Sequence, residues 1–300
     1  MYVRMNQKIA GTKTSIVPKV IIYILLILLL ISIVVPVAWV FMASIKQNTE
    51  FYGNPFALPQ GVYLQNFVDA WTKARMGDYF FYSVVITALS LLILLLVALP
   101  ASYVLSRYRF WGSKVLNTCF MAGLFINVSY IVVPIFLMFV SGDKIAKSMF
   151  GTTFFLNNPF VVAVVLASTT LPFTIYLLSG YLATLPKDYE EAAYVDGAGY
   201  FTTMVRIILP MAKPSIITVI LFEFLAYWNE YIISMTMLTD PNGARTLPVG
   251  LLNLMKAQNA KAEYGQMYAG MVMVMLPTLI LYMCVQKKLT QGMTLGGLKG

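Results

Sequence analysis

The sequence contains no histidine and only two cysteines, and charged residues make up 11% of its 300 positions. Without histidine there is no usual general base, no Ser-His or Cys-His nucleophile pair, and no member of the commonest metal-ligand class. Cys119 and Cys284 offer neither a disulfide framework nor a CxxC metal pair. Both sit in apolar stretches and read as small buried hydrophobes. Soluble domains are about 25% charged, so too little charge is present to coat a water-facing surface. What fills the chain instead is hydrophobic residue, at 59% against roughly 45–50% in soluble domains. The expectation is an all-α integral membrane protein that performs no chemistry of its own. The net charge of +9 is assigned to basic loops facing the cytoplasm and its anionic leaflet, not to nucleic acid.

A spanning helix needs about 20 mostly apolar residues, and the uncharged gaps supply six candidates. They lie near 20–42, 79–105, 115–140, 160–183, 214–238 and 264–286. Asn157-Asn158-Pro159 divides an uncharged run too long for one span. The first apolar run exceeds a signal peptide's core and no small-x-small cleavage site follows, so it is read as an uncleaved span. Six spans put both ends on one side. The tails and the loops at 107–114 and 187–213 hold 13 of the 21 basic residues, and the three remaining loops hold 8. Both termini are therefore expected in the cytoplasm. The outer loop 46–78 contains VYLQNFVDAWTKARM, an amphipathic stretch suited to a short interfacial helix.

The loop 186–213 is the most informative segment. Pro186 suits a first helical turn. Asp188, Glu190 and Glu191 place negative charge at the helix start, where the dipole favours it. Ala192 and Ala193 leave room for another surface to approach. Gly197 and Gly199 can end that helix and turn the chain, and a second short helix follows over about 200–208. Pro210 disfavours helix at Leu209 and is expected to stop it. The product is a helix-turn-helix protruding from the membrane.

Glu191-Ala192-Ala193, then Gly197, Ile207 and Leu209-Pro210, resembles the EAA loop of ATP-binding-cassette importer permeases. The rest of the chain resembles the carbohydrate branch typified by maltose-transporter MalG subunits. The matching segments are ALPASYVLSRYRFWG (98–112), LPFTIYLLSGYLATLP (171–186), Trp228-Asn229-Glu230-Tyr231, TLPVGL (246–251) and the tail GMTLGGLKG (292–300). Tyr82-Ser83 stands where the family often has Asn-Ser, and Leu295 and Gly297 replace two usual alanines. The resemblance implies a type I, MetI-like permease fold over 1–300 and a subunit that moves a sugar or oligosaccharide inward by alternating access. It also implies the partners: a second, MalF-like permease, two ATPase subunits that hold ATP and Mg, and an extracytoplasmic sugar-binding protein. The setting is a bacterial or archaeal plasma membrane with its lipid. No G-x-x-x-x-G-K-[ST] occurs in the chain, so ATP hydrolysis falls to a partner and this chain needs no cofactor of its own.

The resemblance places Glu190, Glu191, Ala192, Ala193, Asp196, Gly197, Ile207, Leu209 and Pro210 against the ATPase. It places tail residues Gly292, Thr294, Gly296, Lys299 and Gly300 between the two ATPase subunits. Acids at membrane depth are functional candidates by default. Glu223 and Glu230, seven apart, are expected on one face of a single helix. Glu223, Tyr227, Trp228, Asn229, Glu230 and Tyr231 are candidates for the translocation path, where aromatic faces and amides suit a sugar. Asn127 is a weaker candidate, since an intramembrane Asn commonly bonds a neighbouring helix. The rival reading is a proton-coupled secondary transporter using Glu223 and Glu230, although the paired broken helices or inverted repeats frequent in that class are not evident. A membrane enzyme ranks last.

Overall fold

The computed structural model describes residues 16–297, apart from the side chains at 16–18, 53, 259–261 and 287–297. Every regular element among the described residues is helical. Helix α1 (Ile16–Ser44) is followed by the short α2 (Glu50–Gly53), α3 (Gln65–Thr72) and the long α4 (Met76–Arg107). Next come α5 (Ser113–Gly123), α6 (Val128–Phe150), α7 (Pro159–Leu182), α8 (Asp188–Val195) and α9 (Tyr200–Thr203). A wide π turn at Met204–Ile208 leads to α10 (Leu209–Met211) and α11 (Lys213–Trp228). The chain finishes with α12 (Ile232–Met237), α13 (Leu247–Lys261) and α14 (Tyr264–Gly297).

Helices α1, α4, α6, α7 and α14 are each long and apolar enough to cross a membrane. Residues 200–211 with α11 qualify as a sixth only as a pair bent by 75°. On α1 the apolar side chains from Val20 to Val35 are all exposed, a surface that water would not tolerate. The main core packs α4 on α7 and α11, with Ile86, Leu94, Leu166, Leu178 and Val219 at its centre. A second cluster joins Met76, Tyr79, Trp228, Leu254 and Ala269 near the start of α4. A third joins Tyr103, Leu182, Met204 and Ile208 near its end.

Several expectations need correction. The stretch 115–140 is not one helix, because residues 124–127 form a tight turn between α5 and α6. Asn127 caps α6 there, its side-chain oxygen accepting the Ser129 N–H at 2.9 Å. Gly123 also lies against Pro172 of α7, so closely that a Cβ would sit 2.8 Å from that ring. Likewise 214–238 is broken at 229–231, and Glu230 does not continue the helix that carries Glu223. Pro210 does not end the helical run: the π turn precedes it, and the wider turn keeps its ring off the carbonyl four residues back. The amphipathic stretch does supply a short helix, α3, with Asn66 and Ala70 buried. Cys119 and Cys284 are exposed rather than buried. Gly292, Thr294 and Gly296 lie within the backbone of α14, which runs well past 286. Lys299 and Gly300 fall outside the described residues, as do residues 1–15.

Candidate functional site

Two sets of residues carry the functional interest. The first is the helix-turn-helix at one end of α4. Helix α8 opens with Asp188, Glu190 and Glu191 in its first turn, where their charge opposes the helix dipole. It closes in a Schellman motif. The Ala198 N–H reaches Ala193 O at 2.9 Å and the Gly197 N–H reaches Tyr194 O at 3.0 Å. Gly197 adopts φ +80°, which a side chain disfavours, whereas Gly199 sits at φ −73° in extended backbone. A Cβ at either would meet nothing within 4 Å. Gly197→Ala is therefore expected to cost about 1–2 kcal/mol through backbone strain alone, and Gly199→Ala close to nothing. Thermal unfolding of the purified protein checks this, and equal melting temperatures for the two variants would contradict it.

The structure divides the residues that sequence placed at the ATPase. Glu190 and Ala193 are 7% and 4% exposed and face inward. Ile207 and Leu209 are half-buried and pack on the cluster around Tyr103 and Leu182. Glu191, Ala192, Asp196, Gly197 and Pro210 are exposed. Beside them stand the uncovered apolar side chains of Val195 and Phe201. Glu190 thus presents no carboxylate to an outside surface. It meets Arg107, the last residue of α4, with an N···O distance of 3.4 Å and both side chains nearly inaccessible. Arg107 also donates from Nη1 to Leu185 O at 2.9 Å. Around this pair, the Tyr108 and Tyr194 hydroxyls are 2.6 Å apart. The Tyr200 ring lies 5.4 Å from Tyr103 and 5.3 Å from Tyr108. Burial and the Tyr194 contact push the Tyr108 phenol up to about 12, so it stays a neutral hydrogen-bonding group. Sequence missed Arg107, which read as one more basic loop residue. Nothing local in its surroundings shows that it folds back under α8.

The second set surrounds a cleft of about 280 Å³ where α11 breaks. Thr169 and Thr170 of α7 line it with Tyr227, Asn229, Glu230 and Tyr231. The Tyr227 hydroxyl bonds Thr170 Oγ1, which fixes its angle. Glu230 lines the cleft and also caps α12. Its Oε1 accepts the Ile233 N–H at 2.6 Å, and its Oε2 accepts the Ser234 N–H and hydroxyl at 3.1 and 2.8 Å. Asn229, Glu230 and Tyr231 are therefore brought together as expected, but on a turn and not on a helix face.

Trp228 points elsewhere. It is 2% exposed, stacks on Phe224 and donates from Nε1 to Val274 O at 3.2 Å, so it is core and not cleft wall. Glu223 is likewise outside the cleft, accepting from Thr174 Oγ1 at 3.2 Å between α11 and α7. Asn127 is a helix cap on an exposed turn. Sequence also missed Asp143, a 6%-exposed acid of α6. It accepts three backbone N–H groups, from Phe154, Phe155 and Leu156, at 2.7, 2.7 and 2.9 Å. No sequence pattern singles it out, because its partners are main-chain atoms of an otherwise irregular segment. No group of three or more Cys, Asp or Glu side chains close enough to hold a metal occurs among the described residues.

The chain is similar in sequence and in fold to known transport proteins. Residues 96–295 match the family described as binding-protein-dependent transport system inner membrane component. The chain is 31% identical over 272 residues to the diacetylchitobiose uptake system permease NgcG of Streptomyces coelicolor, covering 91% of this chain and 86% of that one. It is 29% identical over 290 residues to the trehalose/maltose transport system permease MalG of Thermococcus litoralis, covering 96% and 99%. In fold it is similar to a chain of a bacterial ABC transporter that imports the acidic polysaccharide alginate. That TM-score is 0.73 at 20% identity, over 96% of this chain and 98% of that one.

Proposed function

The chain belongs to the binding-protein-dependent transport inner membrane components, with sugar permeases among its relatives, and from that premise we propose that it moves a sugar inward by alternating access. Its own contribution is a path and a coupling surface. ATP is hydrolysed on a partner ATPase, since the relatives are permease subunits of ABC importers and not enzymes. In the proposed assembly a second permease completes the path, two ATPases dock beneath, and a binding protein delivers sugar above. In this reading the chain crosses six times, with α11 in the fifth crossing and the bent segment 200–211 lying outside it, and both termini and the 187–213 loop are in the cytoplasm. The cleft at Asn229–Tyr231 is the proposed lining of the path, with Tyr227 and Glu230 holding its shape.

The observation that carries the coupling reading is the exposed face of α8 and its turn. Glu191, Ala192, Asp196 and Val195 stand outward, while the buried side of the same helix is pinned to α4 through Glu190. Small and apolar side chains on a protruding, rigid helix suit insertion into a cleft on another protein. Nucleotide and the loaded binding protein drive switching only if each binds one state more tightly.

The test is co-purification of the permease pair with its ATPase. Ala192→Glu adds bulk and charge at an exposed, non-core position. It is expected to cut ATPase recovery at least tenfold while the permease keeps its melting temperature. In the same assay, deleting residues 292–300 is expected to keep the complex together but to lower binding-protein-stimulated ATP turnover. Full recovery and turnover with Ala192→Glu would remove α8 from the interface, and unchanged turnover in the truncation would remove the tail from coupling.

A further inference from the structure

The segment from Phe51 to Val68 contains no charged residue, yet it leaves its apolar side chains uncovered. Phe56, Leu58, Val62, Leu64, Val68 and Trp71 are from 46% to 78% exposed. Water-facing surfaces seldom gather so much apolar area without a partner for it. Helix α3 packs on α14 and on the start of α4, at the opposite end of α4 from Arg107 and α8. Neither set of residues above uses this surface.

The apolar face is held outward. Asn66, on the far side of α3, donates from Nδ2 to Ser44 O and Lys46 O at 2.9 and 2.8 Å. Gly265 of α14 makes room for it, since a Cβ there would sit 2.5 Å from Asn66 Nδ2. With Asn66 and Ala70 turned inward, Leu64, Val68 and Trp71 share one outward stripe, spaced four and three apart. Gln65, Asp69 and Lys73 form a separate polar stripe, joined by bonds of 2.8 and 3.0 Å. The loop before α3 is tied down as well. Buried Lys46 donates from Nζ to Pro55 O at 2.8 Å, and the Tyr63 N–H donates to Ile45 O at 2.9 Å.

Both ends of the patch run into surface that faces the bilayer. At one end the Phe56 ring lies 5.6 Å from Trp39 of α1, the helix whose apolar side chains are exposed from Val20 to Val35. From Val20 to Trp39 is about 28 Å along the helix axis, and the hydrocarbon core is about 30 Å thick. Phe56 is therefore at the border of hydrocarbon and headgroups. At the other end Trp71 rests on Gly77, where a Cβ would sit 2.7 Å from its ring. With Phe67 it lines an apolar groove of about 630 Å³ that continues along α14 from Val272 to Cys284. The start of α4 is covered elsewhere by α13. The Leu247 N–H donates to Ser83 Oγ at 2.6 Å, and Gly250 lies against the Tyr79 ring. From Arg107 to Gly77 is about 45 Å along α4, roughly the thickness of a bilayer with its headgroup layers. Trp71 thus sits at the depth where Trp and Tyr side chains gather.

We propose that residues 52–71 form a collar seated in the headgroup layer of the leaflet opposite the 187–213 loop, with the phospholipid surface itself as partner. An uncharged loop and a helix with one apolar and one polar stripe suit that boundary. The collar would hold the starts of α4 and α14 at a fixed depth. The proposal needs only that α1 and α4 cross the bilayer, and it stands whatever the chain carries.

The test uses the assembled transporter in lipid nanodiscs, with native cysteines replaced by serine. Single cysteines are introduced by Phe56→Cys, Leu64→Cys, Val68→Cys and Lys73→Cys, and each is labelled with a nitroxide. Collisions with oxygen, which concentrates in lipid, are compared with collisions with a water-soluble nickel chelate. The oxygen-to-nickel ratio is expected to be at least about fivefold higher at positions 56, 64 and 68 than at position 73. All four positions are exposed or on the polar stripe, so the variants are expected to keep the parent's melting temperature. A measurement without new cysteines stands beside it. Lipids brominated near the headgroup end of the acyl chain are expected to quench about half or more of the emission that Trp71→Phe removes. Nickel access at positions 56, 64 and 68 equal to that at position 73 overturns the collar and marks a surface left for a soluble partner. Little access to either probe also overturns it and marks a surface covered by the second permease. Trp71 emission untouched by the brominated lipids does so by itself.

Discussion

Arg107→Ala is expected to destabilise the chain by about 3–5 kcal/mol, because it strands the Glu190 carboxylate in a place water does not reach. The two side chains are 3% and 9% exposed. Their 3.4 Å approach is an ion pair and not an aligned fork, since Arg107 Nε and Nη2 and Glu190 Oε1 lack hydrogen-bond partners of good geometry. The expected cost therefore comes mainly from the carboxylate left behind and less from the bond lost. It follows that Arg107→Leu combined with Glu190→Leu should cost much less than Arg107→Ala alone, because removing both charges removes the desolvation penalty too. Thermal unfolding of the three proteins measures this. A double variant at least as unstable as the single one would mean that packing against the tyrosines, and not charge, holds the joint. In the coupling assay the double variant is expected to retain ATPase docking but to lose much of its transport, since α8 and α4 would no longer be held by paired charge.

Asp143→Ala is expected to be similarly severe, at about 3–5 kcal/mol. It leaves three backbone donors without their acceptor, and a buried donor left unpaired costs about 1–3 kcal/mol. The consequence should spread along a defined route. The segment that Asp143 holds leads into Asn157, at φ +57°. Asn157 Oδ1 accepts the Asp240 N–H at 2.9 Å, and its own N–H reaches Met237 O at 3.0 Å. Loosening 151–157 therefore loosens the connection from α12 to α13. Asp143→Asn is the graded control. Its oxygen can keep the bonds from Phe154 and Phe155, while the new amide nitrogen cannot accept from Leu156. Hydrogen exchange at the Phe154, Phe155 and Leu156 amides, which Asp143 holds, reads the opening. The expected order of exchange rate is Ala above Asn above Asp. Equal rates for all three would show that the segment is held by something else.

Much of the helical framework was legible because hydrocarbon thickness imposes a length that uncharged runs satisfy. What the sequence concealed was where helices stop inside such runs. Asn127 and Glu230 looked like polar groups stranded in a span, yet each faces the N–H groups of a helix beginning beside it. Capping and lining both require a polar side chain amid apolar neighbours, so composition alone does not separate them. Pro210 misled in the opposite direction, because a wider turn just before it absorbs the steric conflict. The EAA motif located the protruding helix-turn-helix, but not which carboxylate turns inward. Glu190 and Glu191 are adjacent and chemically alike, and the 100° between successive helical residues sends them to opposite environments. The Arg107 partner is distant in sequence, and Trp228 and Tyr227 part company for the same angular reason.

Helix α4 has one more consequence. It is a single element of 32 residues, about 48 Å from end to end, gripped at its start by α13 through Ser83 and Tyr79 and at its finish by α8 through Arg107. A body held that way obeys leverage. If the loop end were the pivot, a tilt of only about 5° would sweep the far end through roughly 4 Å at that length. A small rotation imposed at one surface of the bilayer would thus be magnified into an opening wide enough for a water molecule at the other.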